Sequence, residues 1–511
     1  MVTRSTRREF IKTAGGFVSA VALAPELLRV AEAAEKDRFN ILFLMTDQQN
    51  HYVMGCSGNP VVKTPTLDKL AGEGARFTNA ICATPFCSPT RASWVTGLWP
   101  HSHGIVFNVN DEKKGLHDKD TLTEQILFDK GYETFQMGKW HLGETARLRC
   151  YRKEQETLSP TAYNRFLKST PRDKWHRPRE GEVEIEEVCY TPEMAEFHNV
   201  WKDEKRRSPQ DLSMIGRFLR PPEYNYESWL ADRCVDLIRK YRDGNFMITW
   251  SVSPPHAHWI VPDPYYSMYD PENVPFPSNW THRPEAYQGT QPARMGKLMG
   301  EKRVREFLRC YYGQVTMMDW CMGRILDALS KEGLEQNTLV IFTSDHGDMQ
   351  GAHGMIGKSV PAYYEEIVRV PLIIRYPRSI KAGTIINTHA HSVDIMPTLL
   401  DYAGLPIPEE VQGVSLRPLL DGKASDDDRP GFCERGKLWP RASRMIRTRR
   451  RKYAVHGNKR RELFDLENDP HEVKNLSGSS THQSRVADLH KKLRRHMKET
   501  TDPVLDKFPK T

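Results

Sequence analysis

The sequence predicts an α/β fold: a doubly wound, mostly parallel sheet flanked by helices, with a smaller C-terminal α+β subdomain. Three observations predict it. Short continuous apolar runs alternate with helical patterns along most of the chain, which favours a parallel sheet covered on both faces. The 511 residues are enough for one large core and a second unit. Past residue 425 the composition becomes basic, which indicates a separate subdomain.

Five apolar runs are predicted to be buried strands, because a continuous apolar run of strand length suits a strand covered on both faces. The predicted strands are residues 40–45, 134–137, 246–252, 338–343 and 371–376. The intervening patterns predict helices at residues 67–75, 121–130, 226–241 and 302–332.

Two segments interrupt this regular pattern. Residues 147–222 are charged and poorly periodic, which predicts a large surface insertion. Residues 254–292 are rich in Pro, Tyr, Trp and His, which favours an ordered loop over a linker. Both segments follow polar motifs. They either wall a substrate pocket or decorate the surface, and the sequence favours neither interpretation.

The first 33 residues resemble a twin-arginine export signal. Arg7 and Arg8 precede an apolar stretch at residues 14–28, and residues 31–33 (Ala-Glu-Ala) offer a small-residue cleavage site. The stretch is too short and too interrupted for a stable membrane anchor. An amphipathic N-terminal helix is the alternative. The resemblance implies a bacterial protein that the twin-arginine export machinery delivers to the periplasm or the exterior.

Charge and cysteine content exclude two classes of protein. The formal net charge is +8, and the first 33 residues carry five Lys or Arg and three Asp or Glu, which leaves +6 without them. This mild basicity suits a polyanionic substrate but falls short of the balance typical of nucleic-acid binding, so no nucleic acid partner is expected. Nine irregularly spaced cysteines do not make a disulfide scaffold.

Five polar motifs lie far apart in the chain. They occupy residues 46–49 (Thr-Asp-Gln-Gln), 87–91 (Cys-Ser-Pro-Thr-Arg), 138–143 (Gly-Lys-Trp-His-Leu-Gly), 255–256 (Pro-His) and 344–347 (Ser-Asp-His-Gly), the last continuing to Lys358. Asp47 and Asp345 closely follow predicted strands. Because ligands bind beyond the carboxyl ends of parallel strands, both carboxylates are expected on one rim of the sheet.

Cys87 is predicted to lie at a helix N-terminus. Ser88 can cap the helix, Pro89 suits its first position, and residues 90–96 can continue it. Backbone N–H groups and the helix dipole favour an anion at such a position. The alternative for Cys87 is a buried structural thiol.

In their order and spacing, these motifs resemble those of the type I sulfatases, the formylglycine-dependent family of the alkaline phosphatase superfamily. The resemblance covers nearly the whole chain after residue 33. It implies that Cys87 is oxidised to Cα-formylglycine by a formylglycine-generating or sulfatase-maturing enzyme that requires Pro89 and Arg91. In the hydrated aldehyde, one hydroxyl attacks sulfur and the other expels sulfate. The family often has an arginine at the position of Leu98. This departure affects the expected conversion of Cys87 to formylglycine and does not affect the expected fold.

The resemblance also implies a metal site made by Asp47, Gln48, Asp345 and His346, with the converted Cys87 as a further ligand. Two carboxylates and an amide oxygen suit a hard divalent cation, first Ca²⁺, with Mg²⁺ or Mn²⁺ as alternatives. Such a cation lowers the pKa of the attacking hydroxyl and holds a sulfate oxygen.

The remaining catalytic roles also come from the resemblance. Arg91 holds the diol, and His141 is the base that triggers sulfate release. Lys139 and Lys358 bind sulfate oxygens, and His256 protonates the leaving oxygen. Lys139 and His141 lie two residues apart, so in an extended segment both side chains would point to the same side.

Two departures from the family pattern leave alternatives open. Many sulfatases have two adjacent aspartates where this chain has Asp47 and Gln48, a pair that some phosphonate and phosphodiester hydrolases of the superfamily share. His258 stands where the family usually has a proline, so it is an alternative to His256 as the acid.

The C-terminal region resembles the sulfatase C-terminal subdomain. Residues 444–453 and 462–466 resemble its hairpin, residues 469–476 match the same region, and a final helix is predicted near residues 484–500. The basic first stretch either guides a sulfated polymer or forms a solvated strand face, and the solvated face is favoured.

The sequence therefore predicts an exported sulfatase that hydrolyses sulfate monoesters of a sulfated carbohydrate. Its catalytic domain is expected at residues 34–425 and its C-terminal subdomain at residues 426–511. Export and the inserted segments favour a carbohydrate. The first alternative is a phosphonate monoester or phosphodiester hydrolase on the same scaffold, and the second is a non-catalytic binder of sulfated glycan.

Overall fold

The computed structural model describes residues 39–109, 115–143, 151, 159–185, 187–203, 214–358, 361–426 and 429–510. The export signal predicted at residues 1–33 and parts of the first predicted insertion lie outside these residues. Within the described ranges, no helix combines the length and apolar character needed to cross a membrane.

Strands and helices alternate along the chain. The strands are β1 (Asn40–Asp47), β2 (Ala75–Phe77), β3 (Ala80–Ile81), β4 (Glu133–Gly138), β5 (Val183–Ile185), β6 (Val188–Tyr190), β7 (Ile215–Phe218), β8 (Phe246–Pro255), β9 (Trp259–Pro262), β10 (Thr338–Ser344), β11 (Arg369–Val370), β12 (Leu372–Arg375), β13 (Thr384–Ile386), β14 (Ala390–His391), β15 (Gly431–Arg435), β16 (Ser443–Arg447), β17 (Arg451–His456) and β18 (Arg461–Asp465). The α-helices are α1 (Pro65–Glu73), α2 (Cys87–Thr96), α3 (Pro100–His103), α4 (Thr123–Asp129), α5 (Pro160–Lys168), α6 (Pro192–Asp203), α7 (Tyr226–Lys240), α8 (Gln291–Lys331), α9 (Glu365–Val368), α10 (Ile395–Tyr402), α11 (Arg417–Leu420) and α12 (Gln483–Glu499).

The largest sheet has seven strands in the order β13-β2-β12-β10-β1-β8-β4. Its members β10, β1, β8 and β4 are parallel neighbours, β12 runs antiparallel to β10 and β2, and β13 is parallel to β2. All five predicted strands lie in this sheet, which confirms the mostly parallel α/β fold. The sequence does not predict β2 and β13, because a three-residue strand carries no readable periodicity.

Both faces of the sheet are covered. Leu42 and Leu44 of β1 lie in the core that helices α1, α7 and α8 complete, whereas Ile41 and Phe43 lie in the core shared with α2, α4 and α10. Successive side chains of a strand point to opposite faces, so this alternation places one core on each side. The doubly wound arrangement is therefore confirmed.

The two predicted insertions form a second sheet. Strands β5, β6 and β7 come from the first insertion and β9 from the second, in the order β5-β6-β7-β9, with β7 and β9 parallel. The first insertion is thus more regular than its sequence indicates, and it is hydrogen-bonded to the second. Whether the pair walls a substrate pocket stays a prediction.

Helix α8 begins at Gln291, well before the predicted start at residue 302. Thr290 caps it by accepting a hydrogen bond from Ala293 N. Gly300 has φ 65° and ψ 174° and interrupts the helical backbone. This interruption explains why the periodic pattern becomes readable only after Gly300.

The C-terminal subdomain is a four-stranded antiparallel sheet, β15 to β18, on which α12 packs through its own apolar core. The final predicted helix is thereby confirmed. Three cations in the basic stretch at residues 444–453 form buried ion pairs. At these three positions the stretch therefore neither guides a polymer nor forms a solvated strand face. Arg444 Nη2 pairs with Asp502 Oδ1 at 2.9 Å, whereas Arg447 and Lys452 both pair with Glu365, and all three cations are buried.

Candidate active site

Four adjacent parallel strands place polar residues at one rim of the sheet. Asp47 ends β1, Asp345 follows β10, His256 follows β8, and Lys139 follows β4. Because these strands run in the same direction, their carboxyl ends meet at one edge, as expected for a ligand site in an open α/β sheet. The predicted shared rim of the two carboxylates is confirmed.

Cys87 is the first residue of helix α2, so the predicted helix N-terminus is confirmed. The predicted cap is wrong: Phe86, in extended conformation, occupies the N-cap position and makes no side-chain cap. Ser88 Oγ instead accepts a hydrogen bond from Val109 N at 2.9 Å. Pro89 is consequently the third residue of the helix, where its missing N–H still costs no helical hydrogen bond.

The Cys87 sulfur lies in a buried, highly charged environment. Sγ is 2.7 Å from Lys358 Nζ, 3.3 Å from His346 Nε2, and 3.6 Å from both Asp47 Oδ1 and Lys139 Nζ. Burial and the Asp47 carboxylate raise the pKa of the thiol, yet the two lysines and His346 together hold that pKa well below its usual range. A side chain at this position therefore faces cations that favour negative charge.

Arg91, one helical turn after Cys87, joins the two carboxylates. Its Nε donates to Asp345 Oδ2 at 2.9 Å and its Nη2 to Asp47 Oδ2 at 3.2 Å. Its Nη1 donates to the Lys139 carbonyl at 2.8 Å. The guanidinium is thus held by three strand ends and orients groups around residue 87.

The two carboxylates differ in their electrostatics. Burial raises the pKa of Asp47, but Lys139 and Lys358 outweigh it and hold that pKa well below the usual range. Burial and the charge of Asp47 raise the pKa of Asp345 above the usual range, and His346 and Arg91 only partly offset them. Two buried carboxylates that repel each other are a setting that a divalent cation stabilises.

The donor atoms fit such a cation. One ligand atom from each of Asp47, Cys87, Asp345 and His346 lies within 4.8 Å of all the others. Ligands about 2.4 Å from an ion in octahedral geometry are about 3.4 Å apart in cis and about 4.8 Å apart in trans. The cluster therefore has the size of a divalent cation's coordination shell.

Gln48 directly follows Asp47, and its amide is fixed by a neighbouring carboxylate. Its Nε2 donates to the buried Asp348 side chain. Its backbone is in the left-handed region at φ 67°, and Tyr311 Oη donates to its carbonyl at 2.6 Å. The amide oxygen is thus the group of Gln48 that could bind an ion, and its role as a metal ligand stays a prediction.

Lys139 and His141 do not share an extended segment, so that expectation is wrong. Gly138 and His141 both have left-handed backbones, at φ 77° and φ 63°. Lys139 Nζ reaches Asp47 Oδ2 and Cys87, whereas the groups hydrogen-bonded to Cys87 Sγ do not include His141. His141 Nδ1 is buried without a hydrogen-bond partner in the described ranges.

His256 lies next to Asp47 across the sheet, because the preceding Pro255 pairs with Asp47. Its Nδ1 is 3.0 Å from the Ala257 carbonyl. Burial and then Lys358 lower the pKa of His256 to about 4. The alternative residue, His258, is exposed and accepts a hydrogen bond from Met214 N at 3.1 Å.

Two residues that position this site are missed by sequence reasoning. Ser251 Oγ accepts from Arg91 Nη1 at 2.7 Å and donates to the Lys139 carbonyl at 2.8 Å. Asp348 holds the Gln48 amide. The available signals are a polar residue inside an otherwise apolar strand and a third carboxylate close behind Asp345.

Comparison with known proteins agrees with this geometry. A family profile described as Sulfatase matches residues 39–405, and one described as N-sulphoglucosamine sulphohydrolase, C-terminal, matches residues 351–499. An arylsulfatase of Clostridium perfringens is 31% identical over 471 residues, which cover 88% of this chain and 93% of the relative. An N-acetylglucosamine-6-O-sulfatase of Bacteroides thetaiotaomicron is 28% identical over 505 residues, covering 92% of this chain and 88% of the relative.

Among solved structures, the phosphonate monoester hydrolase of Agrobacterium radiobacter has the same fold. Its TM-score is 0.72 at 23% identity, with 91% of this chain and 96% of that chain covered. The Sulfatase profile includes every strand end that builds the site, from Asp47 to Asp345. The chain therefore belongs to the sulfatase family and is a sulfuric ester hydrolase.

Proposed function

We propose that this sulfatase is exported and hydrolyses sulfate monoesters of a sulfated carbohydrate, with Cα-formylglycine made from Cys87 and a divalent cation, first Ca²⁺. The observation that carries the proposal is the surroundings of Cys87 Sγ. Two ammonium groups, an imidazole and a carboxylate lie within 3.6 Å of it. This arrangement supports binding of a sulfate group against residue 87.

Lys139 and Lys358 are the groups that would hold the sulfate. Each ammonium group contacts Cys87 Sγ, from which the transferring sulfur would be one bond away. Fixed cations at non-bridging oxygens stabilise the charge that develops as the ester bond breaks, and they require no reorganisation at that moment. Arg91 pairs with Asp345 and Asp47 and keeps both carboxylates in place.

His256 is the proposed acid. With Nδ1 donating to the Ala257 carbonyl, Nε2 is the atom that would carry a proton to the leaving oxygen. A pKa of about 4 leaves His256 neutral near pH 7. A bound sulfate anion beside it favours the imidazolium, so proton uptake is coupled to substrate binding. His141 remains the proposed base for sulfate release.

The cation would be held by Asp47, Gln48, Asp345 and His346, with the modified residue 87 as a further ligand. When bound, it supplies Lewis acidity toward the nucleophile and one sulfate oxygen. The formylglycine supplies a nucleophilic hydroxyl in its hydrated form. The maturing enzyme and the twin-arginine machinery are the partners that this proposal requires.

The proposal that the substrate is a carbohydrate rests on the similarity to known sulfatases. An N-acetylglucosamine-6-O-sulfatase and an ulvan-active sulfatase of Formosa agariphila match over more than nine-tenths of this chain, at 92% and 93%. A sulfated sugar is therefore the substrate class that we propose.

One observation favours a second function. Gln48 takes the position of a carboxylate in many sulfatases, and the phosphonate monoester hydrolase fold is shared. Phosphonate or phosphodiester hydrolysis is therefore the alternative. Rates with an aryl sulfate and an aryl phosphonate, measured on one preparation, separate the two.

The direct experiment compares the wild-type protein with Cys87→Ala. Removing the nucleophile should abolish sulfate ester turnover, with the far-UV spectrum and unfolding midpoint nearly unchanged, because Cys87 fills little volume. Val95→Ala, in the same helix but away from the sulfur, is the control for packing. Substantial residual turnover in Cys87→Ala would contradict the mechanism.

A further inference from the structure

Phe107 is a large apolar side chain that the protein leaves in solvent. Its exposure is 52%, whereas Ile105, two residues earlier, is 6% exposed. An exposed aromatic ring has an apolar surface that binding can remove from water.

The exposure is not caused by a loose loop. Ser88 N donates to Asn108 Oδ1 at 3.3 Å, and Val109 N donates to Ser88 Oγ at 2.9 Å. Ile105 N donates to His103 Nδ1 at 3.1 Å. The chain on both sides of Phe107 is therefore tied to the described structure, and two of these hydrogen bonds are to Ser88, the residue next to Cys87.

Phe107 also has a defined aromatic neighbour. Its ring meets Phe86 edge to face, with centroids 5.9 Å apart and planes at 72°. Phe86 is the N-cap residue of α2, directly before Cys87, and the Arg435 guanidinium lies 4.8 Å from its ring centroid. Phe86 and Phe107, here called the aromatic platform, thus flank the first turn of the helix that carries the nucleophile.

We propose that the aromatic platform binds the ring of the alcohol that the sulfate esterifies, with Phe107 as the stacking surface. A pyranose has a C–H-rich face, and an aryl ring has an apolar face, so both present the shared chemistry that packs on an aromatic side chain. The sulfate group itself is held by the cations around Cys87, the residue that directly follows Phe86. The inference rests on the proposed function. It concerns the alcohol part of the substrate, which the proposed function does not specify.

The test uses wild-type protein, Phe107→Ala and the rescue variant Phe107→Tyr. Turnover is measured with 4-nitrophenyl sulfate and N-acetylglucosamine 6-sulfate, and inorganic sulfate is measured as a competitive inhibitor. We expect Phe107→Ala to lower kcat/KM about tenfold, mainly through KM, in line with loss of one aromatic contact. The inhibition constant of inorganic sulfate should stay unchanged, and Phe107→Tyr should restore the wild-type KM.

Ile385→Ala is the matched control, because Ile385 is 58% exposed on strand β13 at the far edge of the sheet. It should change none of these constants. Unchanged kcat/KM in Phe107→Ala would overturn the inference while leaving the sulfatase function intact. Equal losses of ester turnover and of sulfate inhibition would also overturn it, since the loop would then shape the sulfate site. A wild-type protein that turns over no sulfate ester would instead contradict the proposed function.

Discussion

Arg91 and Asp345 form an ion pair that solvent does not reach. The guanidinium Nε lies 2.9 Å from Asp345 Oδ2, and the side chains are 3% and 0% exposed. The same guanidinium donates to Asp47 Oδ2 at 3.2 Å. One cation on the helix that begins with Cys87 therefore connects the ends of two parallel strands, β1 and β10.

Replacing this cation should destabilise the catalytic core. Arg91→Met leaves two buried carboxylates without their partner, which typically costs about 3–5 kcal/mol. The measurement is the urea midpoint in the presence of EDTA, with Arg450→Met as control because the Arg450 side chain is 74% exposed. Added Ca²⁺ should recover part of the loss, since it neutralises the same carboxylates. Equal midpoints for the two variants would contradict the account.

Asp348 should control metal affinity without being a ligand. Asp348 Oδ1 accepts hydrogen bonds from Gln350 N and Gly357 N. If the side-chain oxygen of Asp348→Asn keeps these two bonds, the new amide nitrogen faces Gln48. Gln48 would then turn its amide and present nitrogen to the ion. Calorimetric titration with Ca²⁺ should show affinity about 10–100-fold weaker, the usual effect of losing such a supporting contact. Unchanged affinity would show that Gln48 does not bind the metal.

Gly138 should be needed to place Lys139. It has φ 77°, and a Cβ there would lie 2.0 Å from the Ser251 carbonyl oxygen, so Gly138→Ala must move the end of β4. Misplacement by about 1 Å can lower kcat/KM about 100-fold. Gly131→Ala is the matched control, with φ 87° but no atom within 4 Å of the added carbon. It should lose about 1 kcal/mol of stability and keep its activity. Equal kcat/KM in the two variants would refute this role.

His101 should make the stability of the subdomain contact pH-dependent. Its Nδ1 is 2.7 Å from Glu434 Oε2 and its Nε2 2.9 Å from the Thr500 carbonyl, so both nitrogens face acceptors and the imidazolium is favoured. Burial lowers the pKa of His101, but Glu434 outweighs burial and raises that pKa above the usual value. The stabilisation is therefore present in full below about pH 6.5 and is lost as pH rises through the folded-state pKa.

The measurement is the difference in unfolding free energy between wild type and His101→Gln from about pH 5.5 to about pH 9. The difference should be largest at the acidic end and should shrink as pH rises. A difference that is independent of pH, or that grows with pH, would contradict the protonated state of His101.

The sequence predicts the site well where a residue's position follows from a strand end. Asp47, His256 and Asp345 each directly end or follow an apolar run, so parallel topology alone brings them together. Lys358 lies in an irregular loop, and only the resemblance to sulfatases places it at Cys87. Its distance of 2.7 Å from Sγ could not be read from periodicity.

Prediction from the sequence fails where a side chain's position depends on an irregular backbone conformation or on a partner far away in the chain. His141 was expected to follow Lys139 in an extended segment, but the left-handed backbone at Gly138 and His141 changes its direction. Arg444 reads as a surface cation because its partner, Asp502, is 58 residues away. Ion pairs between remote segments leave no local pattern, so burial of these charges becomes visible only in the folded chain.

Residue 87 is, in the proposed function, a formylglycine nucleophile. The most direct measurement is the mass of the proteolytic peptide that spans Cys87, taken from protein purified from a host with the maturing enzyme. We expect the formylglycine mass in the wild-type protein, and we expect it to disappear together with turnover in Cys87→Ala. An unmodified cysteine in a preparation that still hydrolyses sulfate esters would contradict it.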